Sequence, residues 1–157
     1  MSQATVSYRR RRPPIPHVAI IPGGLQPGKA IVLKGIVLAS GEKRFIVNLT
    51  CGVLVEGDHV DDVALHFSHR CDENEVVLNS LVANKWAVEQ RHDNNVFRKG
   101  QPFELRILTL ASGFQIAVNG TDFTEYKHRV ELERVTTLYI KGSIQLDYIE
   151  FQGNAAD

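Results

Sequence analysis

Residues 66–91 read HFSHRCDENEVVLNSLVANKWAVEQR and gather most of the side chains in this chain that could do chemistry together. His66, Ser68 and Arg70 fall at every second position, so a strand through them puts all three on one face. Val63, Leu65 and Phe67 take the opposite parity and belong to a core. Asn79 follows Val76 and Leu78 with the outward parity, and the single tryptophan, Trp86, precedes Glu89 and Arg91. If the three segments are neighbouring strands, His66, Ser68, Arg70, Asn79, Glu89 and Arg91 form one polar patch with Trp86 at its rim.

A sugar would want such a patch. Each hydroxyl both donates and accepts, and one C–H-lined face asks for an aromatic platform. Arginines and a carboxylate in mutual contact present donors and acceptors that are already ordered. A phosphate would not choose a site with Glu89 so close. Other chemistries fare worse. His66, His69 and Cys71 suggest a metal site, but His66 and Cys71 have opposite parity and no fourth ligand is evident. A glycosidase needs two carboxylates ~5–10 Å apart, and Glu89 has no partner because Asp72 and Glu73 fall in a turn. No nucleophile elbow or phosphate-binding glycine loop occurs, so the expectation is a binding protein, not an enzyme, with no cofactor and no metal. The sequons at Asn48 and Asn119 are best read as chance matches.

The elements that would hold the patch are short strands. KAIVLKGIVL and KRFIVNL are β-branched runs bounded by Gly, Ser and Pro. PFELRIL alternates Phe103, Leu105 and Ile107 with Glu104 and Arg106. GFQIAVNGTDF does the same, then reaches Asn119-Gly120, a strong hairpin signal. TTLYIKGSIQLDYIEF supplies two more strands around Gly142. No amphipathic helical stretch stands out. The spacing predicts an all-β, two-sheet antiparallel β-sandwich or a barrel.

With 157 residues, 43% hydrophobic and 23% charged, the chain suits one domain with a real core. The start, MSQATVSYRRRRPP, has no apolar segment after its basic run and does not read as a secretory signal. Cytoplasmic localisation is expected, with export by another route left open, and Cys51 and Cys71 should be free. Formal net charge is zero, yet Arg9–Arg12 carry four positive charges with no acid before them, which leaves the body negative. Nucleic acid or an anionic membrane would therefore be met only through that tail. Residues 1–16 read as a disordered basic, Pro-containing extension, since consecutive like charges and prolines resist packing.

The patch resembles the signature of the galectin family, His-x-Asn-x-Arg, then Val-x-Asn, then Trp-x-x-Glu-x-Arg. Here the matching segments are HFSHR (66–70), VLN (77–79) and WAVEQR (86–91). KRFIVNL, VALHF, VVLNS, PFELRI, FQIAVNG and YKHRV look like further galectin strands, and the likeness covers roughly residues 17–151. The resemblance implies a jelly-roll sandwich of two sheets, a carbohydrate-recognition domain over 17–157, that binds β-galactosides in a groove on one sheet. By that likeness His66 and Arg70 contact the axial 4-hydroxyl of galactose, Asn79 takes the 6-hydroxyl and Trp86 stacks on the C–H face. Glu89 bridges to the neighbouring sugar and orders Arg70 and Arg91, while Arg44 and Asn48 match positions lining the outer groove. The implied partners are β-galactoside glycans on glycoproteins or glycolipids, and single-domain galectins commonly form homodimers through sheet edges. Ser68 departs from the pattern, standing where the family has Asn, and His69 and Cys71 replace Pro and Phe, which reshapes the turn after Arg70. Two functions stay open: a galactoside lectin, and a galectin-like protein-interaction module with weakened sugar binding.

Overall fold

The computed structural model describes residues 4–154. Thirteen strands and one 3₁₀ turn, Leu132–Arg134, make up the regular structure of those residues. Six strands form one antiparallel sheet in the order β1 (Ala4–Arg11), β13 (Ile144–Asn154), β3 (Ala30–Val37), β9 (Pro102–Thr109), β10 (Gly113–Val118), β11 (Thr121–Lys127). The other sheet runs β2 (His17–Ile20), β12 (Thr137–Gly142), β4 (Arg44–Thr50), β5 (Val63–Arg70), β6 (Glu75–Val82), β7 (Lys85–Trp86), with β8 (Gln90–Asp93) also pairing β6. Among the described residues no helix is long and apolar enough to cross a membrane.

Alternation builds the sandwich. Phe45, Val47 and Leu49 on β4, Leu65 and Phe67 on β5, and Val76 and Leu78 on β6 all point between the sheets. They meet Leu33 of β3, Phe103, Leu105 and Ile107 of β9, and Phe114, Ile116 and Val118 of β10. The Asn119-Gly120 signal holds: both residues have positive φ, 54° and 81°, and the turn closes β10 onto β11. YKHRV is only half strand, since β11 ends at Lys127. Cys51 and Cys71 are free thiols.

The described part of the basic extension departs from expectation, residues 1–3 lying outside the described residues. Instead of a solvated arm, Ala4–Arg11 pairs antiparallel with Tyr148–Asn154 as the outermost strand of the six-stranded sheet. Three of the four successive arginines, Arg9–Arg11, lie along the strand and do not act as one charge block, because neighbours point to opposite faces. Arg9 is ion-paired with the buried Glu150 and lies over the Tyr148 ring, 4.7 Å from its centroid. Tyr8 rests beside Phe151. The open edge of β13 supplies the backbone partners, and that outweighs the cost of ordering.

One end of the core is aromatic. Phe45 meets Phe97 edge-on at 5.3 Å and stacks on Phe103 at 5.8 Å. His69, whose parity is inward, joins them at 5.0 Å from Phe45 and 5.2 Å from Phe97. A short turn over Cys71–Asn74 follows, with Asn74 at φ 52°, so Arg70 pairs directly with Glu75. Phe45→Ala would empty the centre of this cluster and should cost about 3–5 kcal/mol of stability in urea unfolding.

Candidate functional site

The register of β5 and β6 sets the site. His66 lies opposite Asn79, Ser68 opposite Val77 and Arg70 opposite Glu75. On the far side of β6, Trp86 pairs with Leu81 and Arg91 with Val77. The three sequence segments are therefore neighbours, and His66, Arg70, Asn79, Trp86 and Glu89 border one open groove of about 350 Å³. Trp86 is 53% exposed, with its ring 4.7 Å from that of His66. A second hollow of about 580 Å³ shares His66 and Trp86 and extends past Asn48 to Tyr139 and Lys141. There the Tyr139 hydroxyl donates to the Glu56 carboxylate.

His66 is a neutral ring. Its Nδ1 lies 2.8 Å from Asn48 Oδ1, which can only accept, so the proton sits on Nδ1 and Nε2 keeps its lone pair. Burial, helped by the Arg70 charge, lowers its pKa to about 4. Burial lowers that of His69 to about 4 as well. Glu89 sits between the guanidiniums of Arg70 and Arg91. Its Oε1 accepts from Arg91 Nη2 at 2.8 Å and Nε at 3.0 Å, and Oε2 meets Arg70 Nη2 at 3.4 Å. The Arg91 hydrogen bonds hold the Glu89 carboxyl below the usual carboxylate range.

The network runs further than the sequence indicated. Glu73 contacts Arg70, Arg91 and Arg44, and Glu75 accepts from Arg91 at 2.9 Å. The signal was present in DENE, four residues with three carboxylates in the turn beside the arginine strand. A guanidinium from outside the motif also enters: Arg129, 50 residues from Asn79, lies 3.3 Å from the Asn79 amide oxygen. No local pattern marks it.

Three expected site residues are placed less openly. Ser68 is 2% exposed, with its Oγ 3.4 Å from Arg70 Nε, and it does not border the groove. Asn48 faces the second hollow through its contact with His66. Arg44 borders neither hollow; Asp72 and Glu73 tie its guanidinium beside a separate small cavity containing His69 and Cys71. Among the described residues no group of His, Cys, Asp and Glu is arranged to hold a metal.

Because both histidines are favoured neutral in the fold, the unfolded chain takes up protons at higher pH, near 6.5. Stability is therefore complete above about pH 6.5, falls between there and pH about 4, and levels off below. Urea unfolding should show a loss on the order of 4 kcal/mol between pH 7 and 5, about 2 for each histidine. NMR should find the His66 ring still neutral at pH 5.

Comparisons with known proteins agree with this geometry. Residues 16–151 match the family described as galactoside-binding lectin. Human galectin-4 is 40% identical over 142 residues, which cover 90% of this chain and 42% of that protein. Human galectin-7 is 36% identical over 135 residues, covering 86% of this chain and 96% of that one. The chain thus spans less than half the length of galectin-4 but nearly all of galectin-7. Among solved structures, the Caenorhabditis elegans galectin LEC-6 superposes with a TM-score of 0.80 at 26% identity, covering 91% of this chain and 94% of that chain. The chain belongs to the galectin family of galactoside-binding, non-enzymatic lectins.

Proposed function

We propose that this chain binds β-galactosides of the lactose or N-acetyllactosamine kind in the groove between His66 and Glu89. One observation carries this reading. A half-exposed tryptophan ring borders a groove whose facing polar groups are already held by one another.

The roles follow from protonation and geometry. His66 Nε2 accepts a hydroxyl proton, and Arg70 donates to the same axial 4-oxygen, so only a hydroxyl that both donates and accepts satisfies the pair. Asn79 meets the 6-hydroxyl, and Trp86 covers the C–H face. Glu89 accepts from the next sugar while keeping Arg70 and Arg91 ordered. Individually such exposed ion pairs add little to stability, ~0–1 kcal/mol each. Their use is to present donors without paying side-chain entropy at binding. An open groove leaves much of a ligand wet, so affinity for one site is modest and multivalent glycans gain from two sites on one particle.

A second reading has its own observation. Ser68 is buried under Arg70 and offers nothing to the groove, which favours a galectin-like module with weakened sugar binding that acts on a protein partner. Lactose titration followed by Trp86 fluorescence separates the two. A saturable change with lactose and none with sucrose supports the lectin. Silence up to ~0.1 M, far above millimolar affinity, supports the interaction module. Ser68→Asn should tighten lactose binding about tenfold, the scale of one added hydrogen bond to a charged network. Trp86→Ala should weaken it by at least about tenfold, read by calorimetry because the fluorophore is gone.

A further inference from the structure

Resting on the galactoside reading, we propose that Arg129 is a positioning residue for sugar recognition: it fixes the Asn79 amide and the segment linking Trp86 to Glu89. Arg129 follows β11, in the six-stranded sheet, yet its hydrogen bonds reach Asn79 on β6 of the other sheet and the β7–β8 connection. Its guanidinium sits over the Tyr126 ring at 4.7 Å, and Nη1 donates to Val88 O at 2.7 Å and to Asn79 Oδ1 at 3.3 Å. Asn79 Oδ1 also accepts the Ser80 N–H at 2.8 Å, while Nδ2 donates to Ala87 O at 2.9 Å.

These contacts settle which end of the amide is which. Both lone pairs of Oδ1 are taken by protein donors, and one of the two N–H groups is taken by a carbonyl. Asn79 therefore has one N–H left and meets a sugar oxygen only as a donor. A flipped amide would set its NH₂ against two donors and its oxygen against the Ala87 carbonyl. The same guanidinium holds Val88, between Trp86 and Glu89. A second fastening lies beneath. Ser80 Oγ donates to Ala64 O at 2.8 Å and so accepts from the Tyr126 hydroxyl at 2.6 Å. The groove floor is tied through Tyr126 and Arg129 to the opposite sheet.

The test is lactose calorimetry on the wild type, Arg129→Met, Arg129→Lys, Asn79→Ala and the Arg129→Met/Asn79→Ala double variant. Acrylamide quenching of Trp86 in the ligand-free proteins is measured alongside. Met keeps an unbranched stem over Tyr126, and thermal unfolding checks that each variant folds. Arg129→Met should weaken lactose about tenfold, as expected for losing charge-assisted hydrogen bonds, and Arg129→Lys should recover part of the loss. In the Asn79→Ala background the same change should cost less than about threefold, because both act on one amide and one segment. Quenching of Trp86 should rise in Arg129→Met. Wild-type affinity in Arg129→Met, or an equal loss in both backgrounds, overturns the proposal. If the wild type itself ignores lactose, the galactoside reading fails instead, and quenching decides alone: unchanged accessibility overturns the positioning role. If the Met variant does not fold, the same comparisons are made with Arg129→Lys, and wild-type values in both readouts overturn it.

Discussion

His66 stands opposite Asn79 because β5 and β6 have one register that buries Leu65, Phe67, Val76 and Leu78. A slip of one residue would send those four into water and His66, Ser68, Arg70 and Asn79 into the core. The grooved face is thus the reverse side of the hydrophobic core, and the same alternation specifies both. Burial of each large apolar side chain contributes roughly 1.5–3 kcal/mol, so the core fixes the register with ample margin. The polar face does not have to contribute stability of its own.

Freed from that task, the groove is organised by charge pairing. Arg44, Arg70 and Arg91 are interleaved with Asp72, Glu73, Glu75 and Glu89, so no guanidinium faces solvent alone. A surface so balanced has little long-range pull on anions. On the proposed reading it would recognise a ligand at contact distance, by whether each hydroxyl satisfies a donor and an acceptor at once. The neutral state of His66 belongs to the same design, since a protonated ring would offer no lone pair.

Local alternation made much of this legible in the sequence. Phe103, Leu105 and Ile107 gave away β9, Asn119-Gly120 its neighbouring hairpin, and the spacing of His66, Asn79, Trp86 and Glu89 the groove. What stayed hidden depends on partners distant along the chain. The Arg9–Glu150 pair joins residues 141 apart, and the pattern of the tail alone argued for solvation. Arg129 reaches Asn79 only after the chain has crossed to the other sheet and back. His69 looked like part of a reshaped turn, but its parity is inward and the Phe45 and Phe97 rings had room for it. Ser68 had the right parity too, though parity says nothing of length, and a side chain this short lies beneath its neighbour Arg70.

The outermost strand of the six-stranded sheet has a bearing on crowding. An exposed strand edge is a template on which other chains add and sheets grow into aggregates, and proteins blunt it with charge. Here the edge strand β1 carries Arg9, Arg10 and Arg11 in succession, with Arg12 just beyond. A strand laid alongside in matching register would set guanidinium against guanidinium on both faces. At high local concentration, such molecules resist fusing through this edge into continuous sheets.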